Sequence, residues 1–177
     1  LSRRLFEKVK KFVKIPVALA MRYGSISIKK GIKELYDSGV KEIVVLPLYP
    51  HYAMSSYETV VEKVKEEVKN NFPNVNLKIV SPFYKEKNYI NLLCNKIKET
   101  IDKIKYDHIL FSYHGIPISH LKISDPTNSH CYKVENCCSV SSSAHETCYK
   151  HQCLETTRLV TEKLNISNHI IFSTFAT

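Results

Sequence analysis

His114 is the residue whose setting points most directly to chemistry. It follows the apolar run His108–Tyr113 and precedes Gly115-Ile116-Pro117, a turn that ends a strand and carries the imidazole out at its exit. Imidazole is a near-neutral base and a borderline-soft metal ligand, so His114 is the candidate for taking a proton and for touching a metal. Two other apolar runs end in polar and aromatic side chains, Met21-Arg22-Tyr23-Gly24-Ser25 and Pro47-Leu48-Tyr49-Pro50-His51-Tyr52. A single tyrosine at such a place usually caps a core with its hydroxyl in water. Four of them, Tyr23, Tyr49, Tyr52 and Tyr113, together with Arg22, make a wall suited to a flat, hydrophobic, anionic ligand. His108, His120 and His169 carry the plainer reading of histidines that satisfy loop carbonyls.

A second group of chemistry-bearing residues is the thiols. Five of the six cysteines, Cys131, Cys137, Cys138, Cys148 and Cys153, fall in one stretch that also holds His130, His145 and His151. No CxxC pair occurs, so this is no ordinary zinc ribbon. Disulfides, disfavoured in a reducing compartment, a structural zinc site and a [2Fe–2S] cluster on four thiolates all remain open on the residues alone. The stretch has few apolar residues, so metal ligation is the expected source of its order. Cys94 lies on an apolar helix stripe and is expected to be a core residue.

These residues need elements to position them. Five β-rich runs, Ile15–Met21, Ile43–Tyr49, Leu77–Ser81, His108–Tyr113 and His169–Phe175, alternate with helical stripes. The stripes are Ile28/Ile32/Leu35/Tyr36, Tyr57/Val60/Val61/Val64/Val68, Ile90/Leu93/Ile97/Ile101/Ile104 and one from Leu154 through Val160 to Leu164. Ser55 and Glu58 have capping-box spacing for the second helix. Alternating strands and helices, with strands apolar throughout, indicate an α/β fold whose parallel sheet is covered by helices on both faces. In such a sheet ligands bind beyond the carboxyl ends of the strands, where His114 and the tyrosines lie. Residues 1–123 are expected to form an α/β domain, 124–153 a Cys-rich insertion, and 154–177 a crossover helix and strand. Because the chain opens inside a helical pattern and stops on an apolar strand, it reads as a fragment truncated at both ends.

Composition removes several functions. At 177 residues the chain is long enough for a core, and its apolar runs are far shorter than the ~20 residues needed to cross a bilayer. With 26 Lys and Arg against 17 Asp and Glu the net charge is +9, but the lysines alternate with Glu and apolar residues, as in Glu62–Glu66. That is the pattern of solvated helix faces, so no nucleic-acid partner is expected. Four glycines leave no Gly-rich phosphate loop and no nucleotide cofactor is expected.

Ala20–Ser25, Val45–Tyr52 and above all Ser112-Tyr113-His114-Gly115-Ile116-Pro117 together resemble the ferrochelatase family, in order and over essentially the whole chain. The resemblance implies a chelatase-type, Rossmann-like half of a two-domain enzyme that inserts ferrous iron into protoporphyrin IX, the last step of haem synthesis. It implies that His114 accepts pyrrole protons, binds the substrate Fe²⁺, or both. Arg22 and Tyr23 would line the porphyrin cleft, and Tyr49, Tyr52, Ser55 and Tyr113 would border the macrocycle. Ala53-Met54-Ser55 stands where the family usually shows Ser-Cys-Ser. Residues from His169 onward resemble the strand opening the second half, which would supply the catalytic glutamate, so the fragment alone is expected to be inactive. Some bacterial members hold a [2Fe–2S] cluster through an internal cysteine segment, which tips the thiols towards four of Cys131, Cys137, Cys138, Cys148 and Cys153. The localisation implied is cytoplasmic, with peripheral membrane contact left open. A chelatase for another metal such as cobalt is the alternative enzyme, and a cluster-bearing binding module the alternative of another class.

Overall fold

The computed structural model describes residues 2–167 and 169–173. The chain divides into two compact units, one of Leu1–Leu48 with Glu58–Ser81, the other of Tyr49–Tyr57 with Pro82–Thr177. Each is built on a two-stranded parallel ladder.

In the first unit, helix α1 spans Ser2–Phe12 and α2 spans Ile28–Asp37, before strand β1, Glu42–Val45. Helix α3, Thr59–Asn71, leads to strand β2, Asn76–Ile79, which pairs with β1 from Glu42↔Asn76 to Val45↔Ile79. Ile28 and Ile32 of α2, Ile43 of β1, Val64 and Val68 of α3, and Phe72 and Val75 after it form one buried cluster. The period of 3.6 therefore predicts Ile28, Ile32, Val64 and Val68 correctly, whereas Tyr36, expected on the same stripe, is 43% exposed. Ser27 caps α2 by accepting a hydrogen bond from the Lys30 N–H, and Gly39, at φ 86°, takes the left-handed step after it.

Two local expectations fail here. Ile15–Met21 forms no strand: it has one bridge, Met21 to Ser27, and Ile15 stays 71% exposed. An apolar run becomes a strand only where a partner backbone takes its hydrogen bonds along its length, and among the described residues only the Met21 N–H is taken up in this way, by the Ile26 carbonyl at 2.7 Å. Its contact is instead through Ala20, whose Cβ would lie 3.0 Å from a Cβ added at Gly31, so α2 lies against this segment because that position is glycine. The Ser55–Glu58 capping box is also absent. Met54–Glu58 is already helical, as one π-turn, and Glu58 at the head of α3 makes no side-chain cap.

In the second unit, helix α4, Lys87–Ile101, precedes strand β3, Ile109–Tyr113, and a short helix α5, Ile118–Ile123, follows it. Helix α6, Tyr149–Leu164, leads to strand β4, His169–Ser173, paired in parallel with β3 from Ile109↔His169 to Tyr113↔Ser173. Thr174 and Phe175 of the expected last run lie outside the described residues. Ile90 and Cys94 of α4 pack with Val160 of α6, which gives Cys94 the core role expected of it. A second cluster joins Ala53, Ile116, Leu121, Cys131, Ala144, Cys148, Tyr149 and Cys153. Ile43 of β1 packs with α2 and α3, and Phe111 of β3 packs against the α4–α6 cluster, while Val44 and Leu110 are each 60% exposed.

The buried face of α6 differs from the stripe expected. It is Gln152, Cys153, Thr156, Thr157, Val160 and Thr161, whereas Leu154 and Leu164 are only half-buried. A polar face can go inside because every polar group on it has a partner, which is the physical condition for burying it.

Candidate functional site

Strand β3 delivers His114 to its carboxyl end, where the side chain is exposed. The residue before it is held tightly. The Thr157 hydroxyl donates to the Cys153 carbonyl at 3.1 Å, so it accepts from the Tyr113 hydroxyl at 2.7 Å. Burial pushes the Tyr113 phenol up to about 12, against the hydrogen bond to Thr157, so it stays a neutral donor. Tyr149, on the first turn of α6, also has its ionisation pushed up by burial, while a hydrogen bond with the His114 backbone opposes this. The strand exit is thus fixed on both sides of the free imidazole.

The second exit loop is anchored to the same helix. His51 Nε2 lies 3.0 Å from the Thr156 hydroxyl, which donates to the Tyr84 carbonyl at 2.9 Å. Thr156 has one proton to give, so His51 carries its own on Nε2. Its ring sits edge-on to Tyr113 and Tyr149, at 5.7 and 5.9 Å. Burial lowers its pKa to about 4, so it is neutral at physiological pH. The Tyr52 N–H donates to the fully buried Gln152 Oε1 at 2.7 Å, and the Tyr52 ring lies against Tyr57. Ser55 is exposed, and Tyr49 is 39% exposed.

Of the sequence-selected residues, Tyr49, Tyr52, Ser55, Tyr113 and His114 belong to the second unit, and Arg22 and Tyr23 to the first. The Arg22 guanidinium stacks over the Tyr23 ring at 4.9 Å, and its Nε is buried without a hydrogen-bond partner. An orphaned donor of this kind is unusual in a native interior and suits an anionic ligand. His120 and His169 each also keep a buried Nδ1 unpartnered, so at that nitrogen neither satisfies a loop carbonyl.

The Cys-rich stretch is ordered by means that composition does not show. Asp125, 3% exposed, accepts from the Thr127 N–H and hydroxyl on one oxygen and from the His130 and Cys131 N–H groups on the other. Burial would raise its pKa, but these four bonds outweigh it and hold the carboxyl well below the usual carboxylate range. Three imidazoles grip the Cys137-Cys138 backbone. His130 and His145 each meet the Cys137 carbonyl through Nε2, at 2.7 and 2.9 Å, and His151 Nδ1 meets the Cys138 carbonyl at 2.8 Å. His145 and His151 stack at 3.6 Å. The stretch therefore has a source of order besides metal, contrary to expectation, and Cys131, Ala144, Cys148 and Cys153 are buried in its core.

All six cysteines are free, so the disulfide reading is not realised. Cys148 caps α6, accepting from the His151 N–H. The Cys138 and Cys131 thiols both hydrogen-bond to its sulfur, and the bond from Cys138 does most to lower its pKa to about 6 despite burial. Burial pushes Cys131 and Cys153 each up to about 12, and the bond to Cys148 pushes Cys138 up further. Cys137 is near enough to act electrostatically on both Cys131 and Cys138. Converging thiols are the donor set that iron–sulfur chemistry takes. Among the described residues, though, no three His, Cys, Asp or Glu side chains already stand as a formed metal site.

His51, Asp125, Gln152, Thr156 and Thr157 are functional or supporting residues that the sequence motifs do not single out. The last three had a signal, since Gln152, Thr156 and Thr157 sit at i, i+4 and i+5 on one helix face, polar where a stripe should be apolar. Asp125 and His51 had none, because their partners are set by the fold.

Comparison with known proteins supplies the rest. The family model described as Ferrochelatase matches residues 1–175. A protein of Opitutus terrae named ferrochelatase is 41% identical over 152 residues, covering 86% of this chain and 44% of that protein. A ferrochelatase of Pseudomonas fluorescens strain Pf0-1 is 40% identical over 168 residues, covering 94% and 49%, and that of strain SBW25 is 36% identical over 168 residues. The chain thus spans about half the length of the curated relatives it matches. With the Ser-Tyr-His-Gly-Ile-Pro strand exit and a family match running through both units, this chain belongs to the ferrochelatase family.

Proposed function

We propose that this chain is part of a ferrochelatase that inserts Fe²⁺ into protoporphyrin IX to form protohaem. The observation that carries the reading is His114: an exposed imidazole at the end of a parallel strand, its neighbour Tyr113 pinned to α6, in a chain matched by the family model over residues 1–175. Metalation requires loss of two pyrrole protons and stripping of water from the metal. A neutral imidazole serves as proton acceptor and as a ligand to the arriving iron. Arg22 would take the negative charge of the porphyrin carboxylates, with Tyr23 as its stacking base. Tyr49, Tyr52 and Ser55 would border the macrocycle, with Tyr113 fixing the exit beneath it. The carboxylates that carry protons and water away would come from the other half of the enzyme.

The thiols support a [2Fe–2S] centre by donor chemistry. Cys131 and Cys138 each hydrogen-bond to the Cys148 sulfur, and Cys137 and Cys153 lie near enough to act on these thiols electrostatically. When bound, such a cluster would supply a one-electron centre and a cross-link across the stretch. The proposed location is the cytoplasm, a compartment that keeps a cysteine set of this kind reduced and open to metal. Peripheral membrane contact has its support in α1, a helix with five basic residues and no buried ones. Separately, no helix among the described residues is long and apolar enough to cross a membrane.

The test is metal insertion by the full-length enzyme, followed by the change in the visible absorbance of protoporphyrin IX. Faster turnover with Fe²⁺ than with Co²⁺ is expected. Turnover with Co²⁺ alone would replace the reading with a cobalt chelatase, and no porphyrin binding would remove it.

A further inference from the structure

Gln152 is fully buried on α6, and all of its side-chain hydrogen-bonding groups are used across two different segments. Its Oε1 accepts from the Tyr52 N–H at 2.7 Å. Its Nε2 donates to the Glu146 carbonyl at 2.9 Å and to the His145 carbonyl at 3.1 Å. The orientation is unambiguous, since turning the amide over would set donor against donor at Tyr52 and acceptor against acceptors at the other end. One amide therefore bridges the second exit loop and the turn Ser143–Glu146, which lies just before Cys148. That turn carries His145, which meets the Cys137 carbonyl and stacks on His151. An unbroken path of short contacts thus runs from the Cys137-Cys138 pair through His145 to Gln152 and Tyr52. A leucine would fill this place at less desolvation penalty if only packing were required.

We infer that Gln152 is a positioning residue that holds the Tyr49–Tyr57 loop in register with the thiol segment, so that the arrangement of the thiols is felt where the porphyrin binds. The inference rests on the proposed role of that loop at the macrocycle. Gln152 touches no substrate in this scheme and acts through the Tyr52 backbone.

Two variants of the full-length enzyme separate its two ends. Gln152→Met removes both. Gln152→Glu keeps an acceptor for the Tyr52 N–H and removes the amide donors to the His145 and Glu146 carbonyls. Amide hydrogen exchange should rise in residues 49–57 and 143–148 alike for Gln152→Met, with porphyrin bound about ten-fold more weakly and kcat little changed. Gln152→Glu should keep Tyr52 protected and the porphyrin affinity near that of the parent, while residues 143–148 exchange faster. Native protection at Tyr52 in Gln152→Met would overturn the inference, as would equal loss at Tyr52 in both variants, which would reduce Gln152 to packing. Should neither variant fold, the unaltered enzyme decides. In rising urea the amides of Tyr52 and Cys148 should exchange through one shared opening, and separate openings would overturn the link. Absence of porphyrin binding by the unaltered enzyme would defeat the functional reading, while the exchange measurements would still decide the coupling.

Discussion

At the residue scale, groups that look alike in sequence are sorted by their surroundings. His51 and His114 both leave apolar runs, yet His51 is packed among Tyr113, Tyr149 and Thr156 while His114 is exposed. Burial lowers the His51 pKa to about 4 from an ordinary 6.5, so between those values the unfolded chain binds a proton that the folded chain refuses. The stabilisation is complete above pH 6.5 and is lost as pH falls towards 4, by up to about 1.4 kcal/mol per pH unit. Urea unfolding at pH 7 and pH 4.5 should show that loss, and His51→Gln should reduce it. Asp125 offers the complementary case. Replacing its carboxylate with Asp125→Ala leaves the His130 and Cys131 N–H groups buried without an acceptor, and should lower stability by roughly 3 kcal/mol in the same measurement. Asp125→Asn, which keeps an acceptor, should be milder.

At the element scale, the stretch between Ser124 and Cys153 departs most from what composition implies. Asp125, the three histidines and a buried apolar cluster shape it, and its thiols face one another as a result. If these hold a [2Fe–2S] centre, anaerobically prepared protein should be reddish-brown, with roughly two irons and two sulfides per chain. Cys131→Ser, Cys148→Ser and Cys153→Ser should each bleach it. Of the adjacent pair only one should matter, and the contact of Cys138 with Cys148 favours Cys138. Colourless protein with one zinc per chain would favour the zinc site instead. Much of this architecture is legible in sequence where a single local rule decides. The stripes of α2 and α3 and the strand before His114 are of that kind, because a 3.6-residue period or an apolar run closed by Gly-x-Pro needs no distant partner. Ile15–Met21 departs from the strand its apolarity suggests because apolarity does not supply a neighbouring strand. The inner face of α6 is not legible in sequence because Gln152, Thr156 and Thr157 become buriable only through Tyr52, His51, Tyr84 and Tyr113, all far away in the chain.

At the scale of the whole molecule, the chain spans about half of its curated relatives, and the proposed chemistry needs more than it contains. A base and a ring-binding wall do not suffice for metalation, since protons and water must also be carried off. The isolated 177-residue chain should therefore bind porphyrin weakly, and insert iron no faster than the spontaneous reaction, in an absorbance assay. Within the full-length enzyme His114 is the group on which the account turns. Its side chain is exposed and packs against little, so its removal should leave the fold and the porphyrin affinity nearly unaltered. A positioned base contributes about 10²–10⁴-fold in rate. The most direct measurement is the rate of Fe²⁺ insertion into protoporphyrin IX by full-length His114→Ala beside its parent, with porphyrin binding and thermal unfolding recorded on the same preparations. A loss of that size with binding and stability retained is the expected result, and unchanged turnover would contradict the account.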